Sequence, residues 1–455
     1  MLSVAQVTTT MPDLTWDTVL SPHIYVFYAA FIVSFIFTPI MRLVANYYGI
    51  IDQPDHLRKL HTSPVAYLGG VAVFMGWVAG LATSQLHIPQ DQIGSAHLQV
   101  KLNIVFGALI IVAMGLWDDV KRLPPRGKIL GQVIAALILL KGGVGSQCLG
   151  PLLSPLGARM QILLGPHFYI PQSLTEVLSW SFVIFLVVGC CNATNLMDGL
   201  DGLCGGVTAV IVGGFLFLAV RLAVDAQDQD WDAVRIVLAL ALLGATLGFV
   251  PYNFNPASIF MGDTGSMFLG YSCATLIVLL AAENSKWLLA ALVMFALPIM
   301  DSTLALVRRW VNRRPLFGAD RHHLHHQLVA RGYSIRKTVI ILYGLAIAFC
   351  LLGMLIAYMR TRYAVAFYLV IFGSLIVAAY KMGLVHEKPR VVSPKALGAL
   401  DAVMSASGDH PSGAVVELRG PSQQIVPQTP IPGENQAPPR ETGPTDDSTP
   451  GSSEG

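Results

Sequence analysis

Residues 180–202 read WSFVIFLVVGCCNATNLMDGLDG, an uncharged apolar run joined directly to a polar segment. The run extends from Trp180 to Cys191, and two amides and two carboxylates follow it: Asn192, Asn195, Asp198 and Asp201. A charge at the end of a membrane helix costs a few kcal/mol unless it is paired, hydrated or bound to a metal. The stretch therefore predicts a membrane helix that ends in a functional polar segment.

The composition excludes an ordinary soluble globular protein. Of the 455 residues, 54% are hydrophobic and only 12% are charged, whereas soluble domains have about 25% charged residues. Apolar runs of near-membrane length recur, so we expect an all-α, polytopic membrane protein and no nucleic-acid partner. The sequence predicts eleven transmembrane helices: 24–46, 66–86, 100–117, 129–141, 178–195, 204–224, 234–251, 266–282, 287–307, 338–358 and 363–382.

Basic residues fall mainly on alternate loops. Clusters such as 121–128 and 308–314 lie on one side, while the other side has isolated cations and the acidic loop 225–232. The positive-inside rule places the first set in the cytoplasm, with the N-terminus outside and the C-terminus inside. We expect residues 1–23 to be an extracytoplasmic segment, 24–385 a transmembrane catalytic domain, and 386–455 a disordered cytoplasmic tail.

Small residues in the apolar segments have a structural interpretation. The pairs Gly69–Gly70, Gly205–Gly206 and Gly213–Gly214 predict close helix packing. The six cysteines have no CxxC or Cys/His spacing. We interpret them as small buried residues and not as a disulfide framework or a zinc site.

Two further acidic clusters interrupt apolar runs. Asp118 and Asp119 follow one span, and Asp263 precedes another within residues 260–266. The orientation puts these clusters on the same cytoplasmic face as residues 192–201, which suggests one shared polar site. Paired carboxylates suit a hard divalent cation or proton removal. Solvated helix ends or helix caps are the structural alternatives, and Phe260 is either a base-stacking ring or an interface anchor.

A histidine-rich loop reads DRHHLHH over residues 320–326. A transition-metal site is disfavoured because neither cysteine nor an HExxH motif accompanies the loop. The histidines with Arg321 could bind a diphosphate through charge-assisted hydrogen bonds. A solvated basic loop that obeys the positive-inside rule is the alternative.

At these residues the chain resembles the polyprenyl-phosphate N-acetylhexosamine-1-phosphate transferase superfamily, glycosyltransferase family 4. The resemblance covers about residues 40 to 335, with the motifs in the family's order: residues 58–61 with 69–70, residues 118–119, Lys128 with 131–132, residues 192–201, residues 260–266 and the histidine loop. The histidine loop is similar to the branch that transfers GlcNAc-1-phosphate. The chain departs from the family at Ala66 and Tyr67, where relatives have Pro and Arg, and at Ser258, where many have Lys.

The resemblance implies transfer of a sugar phosphate, most simply GlcNAc-1-phosphate, from a UDP-N-acetylhexosamine to undecaprenyl phosphate at the cytoplasmic face of the inner membrane. It implies Mg²⁺, or Mn²⁺ in its place, held by Asn195 and Asp263. Asp118 would orient or deprotonate the lipid phosphate, and Asp119 would assist. The remaining implied residues contact substrate, some through phosphate: Lys59, Lys128, Asn192, Asp198, Asp201, Phe260, Arg321, His323, His325 and His326.

Four points remain open from the sequence: the donor, the oligomeric state, and whether the chain is instead a transporter or a scaffold. The donor could carry another amino sugar or a muramyl pentapeptide, and the chain could act as a monomer or a homodimer. A transporter is the alternative outside the enzymes, but transporters place ionisable groups near the bilayer midplane in broken helices. A purely structural scaffold would leave the polar clusters without a purpose.

Overall fold

The computed structural model describes residues 15–52, 64–86, 100–165, 167, 169–226, 229–313 and 323–381. These residues form fifteen α-helices and one small sheet. The helices are α1 Trp16–Leu20, α2 Ile24–Tyr48, α3 Gly69–Leu86, α4 Leu102–Lys121, α5 Pro125–Lys141, α6 Gly150–Leu164, α7 Gln172–Met197, α8 Leu203–Ala226, α9 Gln229–Asn253, α10 Gly262–Ala281, α11 Ser285–Met294, α12 Ala296–Val311, α13 Leu324–Ala330, α14 Ile335–Tyr358 and α15 Thr361–Lys381. Residues Lys59 and Arg321, and the predicted tail 386–455, lie outside the described residues.

The helical, multi-pass architecture is confirmed. Eight helices among the described residues are long and apolar enough to cross a membrane, and the bent pair α11–α12 would make a ninth. Every predicted span overlaps a helix or that bent pair. However, α5 has 17 residues, which at 1.5 Å per residue span about 25 Å, less than the ~30 Å hydrocarbon core. The apolar part of α15, Thr361–Ser374, is also shorter than a full span. The count of eleven and the orientation therefore stay predictions.

Helix α10 is the central element of the helical bundle. Each of its residues except Asp263 is buried, because α3, α4, α7, α8, α9 and α11 all pack against it. An all-round apolar helix of this kind belongs in the core of a large membrane domain. The only residue of α10 that reaches solvent thus lies in its first turn.

A two-stranded antiparallel sheet positions the start of α3. Strand β1, Ile51–Asp52, pairs with β2, Val65–Ala66. The Phe260 amide donates to the Ala66 carbonyl at 2.8 Å, and the Gly70 amide donates to the Met261 carbonyl at 2.9 Å. These bonds join the sheet and α3 to the segment that leads into α10.

Close packing against neighbouring helices explains most of the paired glycines. A Cβ added to Gly70 would lie 2.2 Å from the Gly265 nitrogen. A Cβ at Gly69 would lie 2.6 Å from the Phe260 carbonyl oxygen, and neighbouring side chains would meet a Cβ at Gly205, Gly206 or Gly214, whereas no atom lies within 4 Å of a Cβ added at Gly213. The packing prediction is confirmed for the first five and wrong for Gly213. All six cysteines are buried and free, as expected.

We expect Gly70→Ala to destabilise the protein by about 1–3 kcal/mol, because the new methyl group would overlap the Gly265 backbone. Gly213→Ala is the matched control, since added bulk meets open space there and alanine favours a helix. Thermal unfolding of detergent-solubilised protein, followed by tryptophan fluorescence, measures both. Equal midpoints for the two variants would contradict the close contact between α3 and α10.

Candidate active site

Four helices bring their polar ends together. Asp118 and Asp119 lie in the last turn of α4, Lys128 in the first turn of α5, Asn195 in the last turn of α7, and Asp263 in the first turn of α10. Hydrogen bonds and ion pairs connect the side chains of Asp118, Lys128, Asn195 and Asp263, and the Asp119 carboxylate accepts the Asp263 backbone amide. The predicted convergence of separate acidic clusters is therefore present in the structure.

Asp119 caps helix α10. Its carboxylate accepts the Asp263 amide at 2.8 Å, the Thr264 amide at 3.1 Å and the Thr264 hydroxyl at 2.6 Å. An acid at the end of α4 opposes that helix's own dipole, but here it satisfies the N-terminal amides of another helix. Gly262 permits this contact, since its φ is +71° and a Cβ there would lie 2.6 Å from Asp119 Oδ2. Asp119 thereby fixes the position of the backbone that carries the Asp263 side chain.

Lys128 bridges the other two carboxylates. Its Nζ lies 2.6 Å from Asp118 Oδ2 and 2.5 Å from Asp263 Oδ2. Asp118 also accepts the Leu123 amide at 2.6 Å, which closes the turn between α4 and α5. Since the side chain of Asp118 is only 11% exposed and that of Asp263 27%, one ammonium group partly neutralises two poorly solvated acids.

Asn195 contacts Asp263 directly. Its Nδ2 donates to Asp263 Oδ1 at 2.9 Å and to Ser266 Oγ at 3.0 Å. The neighbouring Thr194 hydroxyl donates to the Ser266 carbonyl at 2.7 Å, which ties α7 to α10. The pair expected to bind a metal is therefore adjacent.

The donor set limits which kind of metal site is feasible. Within the described part of the chain, no group of three or more His, Cys, Asp or Glu side chains could hold a metal ion. Magnesium commonly uses one or two carboxylates and completes its coordination with substrate phosphates and water. Asp263 with Asn195 fits such a shared site, and does not fit a site made entirely of protein ligands.

Asn192 lies one turn further into α7. Its Nδ2 donates to Gln132 Oε1 at 2.9 Å and to the Val188 carbonyl at 2.7 Å. Gln132 is fully buried in α5. Asn192 thus joins α5 to α7, and its expected substrate contact stays a prediction.

The loop after α7 contains two acids with different surroundings. Asp198 is half-buried, and burial, followed by the charges of Asp263, Asp119 and Asp201, raises its pKa to about 8. Asp201 instead accepts the Asn255 side-chain amide at 2.9 Å and the Ala257 amide at 3.0 Å. Asp201 therefore supports the 255–257 turn, whereas Asp198 adjoins the acidic cluster.

An aromatic pair borders the site next to the small sheet. The Phe260 and Tyr67 rings lie 6.0 Å apart between centroids. Burial raises the pKa of Tyr67 above its ordinary value, and the nearby Asp52 raises it further. Phe260 is half-buried. Its ring already has an aromatic neighbour within the protein, the Tyr67 ring. Tyr67 occupies the position where the resemblance led us to expect an arginine.

The histidines form a stacked group. The His323 and His325 rings are nearly parallel at 5.7 Å between centroids, and His326 lies 4.2 Å from His325. Burial, reinforced by the charge of His326, lowers the pKa of His325 to about 3. His325 is therefore neutral at physiological pH, where its ring can still donate or accept a hydrogen bond, and its expected contact with phosphate stays a prediction. A Cβ added to Gly199 would lie 2.4 Å from His325 Nε2, which places the group beside the 198–202 loop.

Sequence reasoning missed Asp301, which holds the histidine segment. Its Oδ2 lies 2.9 Å from His323 Nδ1, and its Oδ1 accepts the Leu324 amide at 2.8 Å. The sequence did contain a signal for this residue. Asp301 is a lone carboxylate within the apolar start of α12, and a carboxylate in such surroundings needs a partner. Thr264 and Ser266 were missed as individual contacts, although both lie within the 260–266 motif.

The chain is similar in sequence to one family of known proteins. The chain matches the model of glycosyl transferase family 4 over residues 102–281, from the start of α4 to the end of α10. It is 33% identical over 373 residues to the probable undecaprenyl-phosphate N-acetylglucosaminyl 1-phosphate transferase of Bacillus subtilis (strain 168), covering 79% of this chain and 93% of that relative.

Two other relatives are more distant. A decaprenyl-phosphate N-acetylglucosaminephosphotransferase of Mycobacterium tuberculosis (strain ATCC 25618 / H37Rv) is 31% identical over 69% of this chain and 77% of its own length. A phospho-N-acetylmuramoyl-pentapeptide-transferase of Bacillus cytotoxicus is 28% identical over 70% of this chain and 92% of its own length. With similarity extending this far along both chains, and with every helix end of the acidic cluster inside the matched region, the protein belongs to glycosyl transferase family 4.

Proposed function

We propose that the protein transfers GlcNAc-1-phosphate from UDP-GlcNAc to undecaprenyl phosphate, releasing UMP, at the cytoplasmic face of the inner membrane. The names of the relatives that are 33% and 31% identical support this donor and a polyprenyl acceptor. The observation that carries the proposal is the Lys128 bridge between Asp118 and Asp263, at the ends of membrane helices. The product would start a cell-envelope polysaccharide.

Phosphoryl transfer needs chiefly positioning and charge neutralisation, and the site is suited to both. An oxygen of the lipid phosphate attacks the β-phosphorus of the donor, and the bond from that phosphorus to the UMP oxygen breaks. The lipid phosphate is already largely ionised at neutral pH, since its second pKa is about 6. Asp118 and Lys128 therefore act mainly by orienting the attacking phosphate, with little need for a strong base.

A divalent cation fits beside Asp263. Asp263 and Asn195 would hold Mg²⁺ together with substrate phosphates, and the ion would supply charge neutralisation to the diphosphate. Lys128 already contacts Asp263 Oδ2. Its ammonium would then turn toward a substrate phosphate while keeping its contact with Asp118.

The lipid substrate would reach this site from within the bilayer. Trp117 and Val120, on either side of the two acids of α4, are 58% and 52% exposed. Leu130, in the next helix, is 61% exposed. Exposed apolar residues at a membrane helix face lipid, so a polyprenyl chain can lie along α4 and α5 with its phosphate at Asp118.

Asp263→Asn is expected to abolish UMP release, because the neutral amide can neither bind a hard cation strongly nor pair with Lys128. The loss should be about a hundredfold or more. Steady-state UMP release by detergent-purified protein measures it. Asp225→Asn is the matched control, since Asp225 is 38% exposed and pairs only with Arg221 among the described residues.

The metal part of the proposal has its own control in the wild-type enzyme. EDTA should remove UMP release and excess Mg²⁺ should restore it. Near-normal turnover of Asp263→Asn with an unchanged Mg²⁺ requirement would remove Asp263 from the proposed cation site.

Asp118→Asn is expected to lower kcat/KM for the lipid phosphate by about a hundredfold, while KM for the UDP-sugar changes less. The substitution keeps an acceptor for the Leu123 amide but weakens the pair with Lys128. Initial rates with one substrate varied and the other saturating separate the two effects. Retained single-turnover release of UMP would argue against a role for Asp118 on the lipid side.

Among UDP-sugars, UDP-GlcNAc is expected to support UMP release at least about tenfold better than its competitors. A panel with UDP-GlcNAc, UDP-GalNAc and UDP-N-acetylmuramyl pentapeptide, each with undecaprenyl phosphate, measures this preference. The Asp263→Asn variant is the inactive control for each UDP-sugar. Preference for the muramyl pentapeptide would reassign the chain to the branch of its 28% identical relative.

A further inference from the structure

A single carboxylate lies within the apolar start of α12 and is paired on both oxygens. Asp301 is 8% exposed and His323 is 4% exposed. Asp301 Oδ2 lies 2.9 Å from His323 Nδ1, and Oδ1 accepts the Leu324 amide at 2.8 Å. A buried carboxylate is costly unless its lone pairs are used. Both contacts of Asp301 are to the segment that begins helix α13.

The contact with Leu324 supplies a cap that α13 otherwise lacks. His323 occupies the N-cap position, and its own side chain makes no capping hydrogen bond. The helix has 7 residues, and helices this short are marginal without tertiary contacts. Asp301 therefore satisfies one of the first amides of α13 and fixes where that helix starts.

The contact with His323 selects a tautomer. A carboxylate accepts hydrogen bonds, so the proton lies on His323 Nδ1 and the ring plane is held toward α12. The His325 ring stacks nearly parallel to His323, at an interplanar angle of 5°. The order of contacts thus runs from Asp301 through His323 to His325.

His325 is the residue on which this arrangement acts. It is 2% exposed, and its Nε2 has no hydrogen-bond partner among the described residues. That atom faces Gly199, next to Asp198 in the loop at the end of α7. A buried ring nitrogen without a partner is a hydrogen-bonding position that an incoming polar group can use.

We propose that Asp301 is a positioning residue, which holds His323 and thereby sets His325 Nε2 against the 198–202 loop where the UDP-sugar binds. The inference rests on the proposed function for the identity of that substrate. Asp301 itself touches neither substrate nor the carboxylates of the site, so it acts only through the histidine segment.

The test compares two replacements of His323 that conserve different atoms. In His323→Asn the amide nitrogen takes the place of Nδ1 and can still donate to Asp301, whereas His323→Gln places its amide near Nε2 and loses that bond. We expect His323→Asn to lose less kcat/KM for UDP-GlcNAc than His323→Gln. His323→Gln should lose about 10–100-fold in kcat/KM for the donor, the usual cost of removing an orienting partner.

Asp301→Asn should show a similar loss, because one amide oxygen cannot serve both Leu324 and His323. Combined with His323→Gln it should cause no further loss, since the two residues act in one chain of contacts. Ser302→Ala is the matched control on α12, as its hydroxyl bonds only to the Pro298 carbonyl among the described residues. Thermal unfolding midpoints show whether each variant folds. If Asp301→Asn does not fold, the comparison of the two His323 variants still tests the positioning role.

Several results would overturn the proposal. Activity of Asp301→Asn within twofold of Ser302→Ala, multiplicative losses in the double variant, or a milder effect of Gln than of Asn at His323 would each do so. Amide hydrogen exchange of residues 323–330 should rise in Asp301→Asn whatever the substrate. If wild-type protein released no UMP, only the proposed function would be contradicted. If amide hydrogen exchange were unchanged in Asp301→Asn, the positioning role would be contradicted.

Discussion

The carboxylate of Asp119 is the constraint on which the site depends. By accepting two amides and one hydroxyl from Asp263 and Thr264, it joins the last turn of α4 to the first turn of α10. The helices can approach this closely because Gly115 packs against the Thr264 backbone, where a Cβ would lie 2.5 Å from Cα. Each such bond is strengthened by the negative charge of its acceptor. The position of Asp263 thus follows from helix packing and capping together.

The carboxylates of the site are partly neutralised before any substrate arrives. Lys128 pairs with Asp118 and Asp263, while Asp119 is held by backbone and hydroxyl donors. Asp198 has no such partner among the described residues, and burial raises its pKa to about 8. A diphosphate with a cation would replace part of this internal pairing, so substrate binding and charge balance are coupled in the same cluster.

The sequence was sufficient to predict membrane helices and the convergence of their polar ends. Long apolar runs indicate membrane helices directly. The alternation of basic loops predicts that Asp118, Asp198 and Asp263 lie on the same face of the membrane. The bend of 71° between α11 and α12 was not predicted, because 287–307 is one continuous apolar run. Pro298 lacks the amide that would continue the helix past Met294. Contacts such as Asp301 with His323 depend on packing between distant segments, which no local pattern encodes.

The two ends of α10 differ in a way that favours surface chemistry over transport. At its start Asp263 alone reaches solvent, whereas in its last turn the Leu279 carbonyl accepts a hydrogen bond from the buried Arg235, which also pairs with Asp232 and Glu283. The 18-residue window between these ends is fully buried. A transporter needs ionisable groups near the middle of its spans and two alternating openings. Since α10 has its acid in the first turn and no charged residue in the buried window beyond it, the ionisable group of α10 lies at one end of the helix.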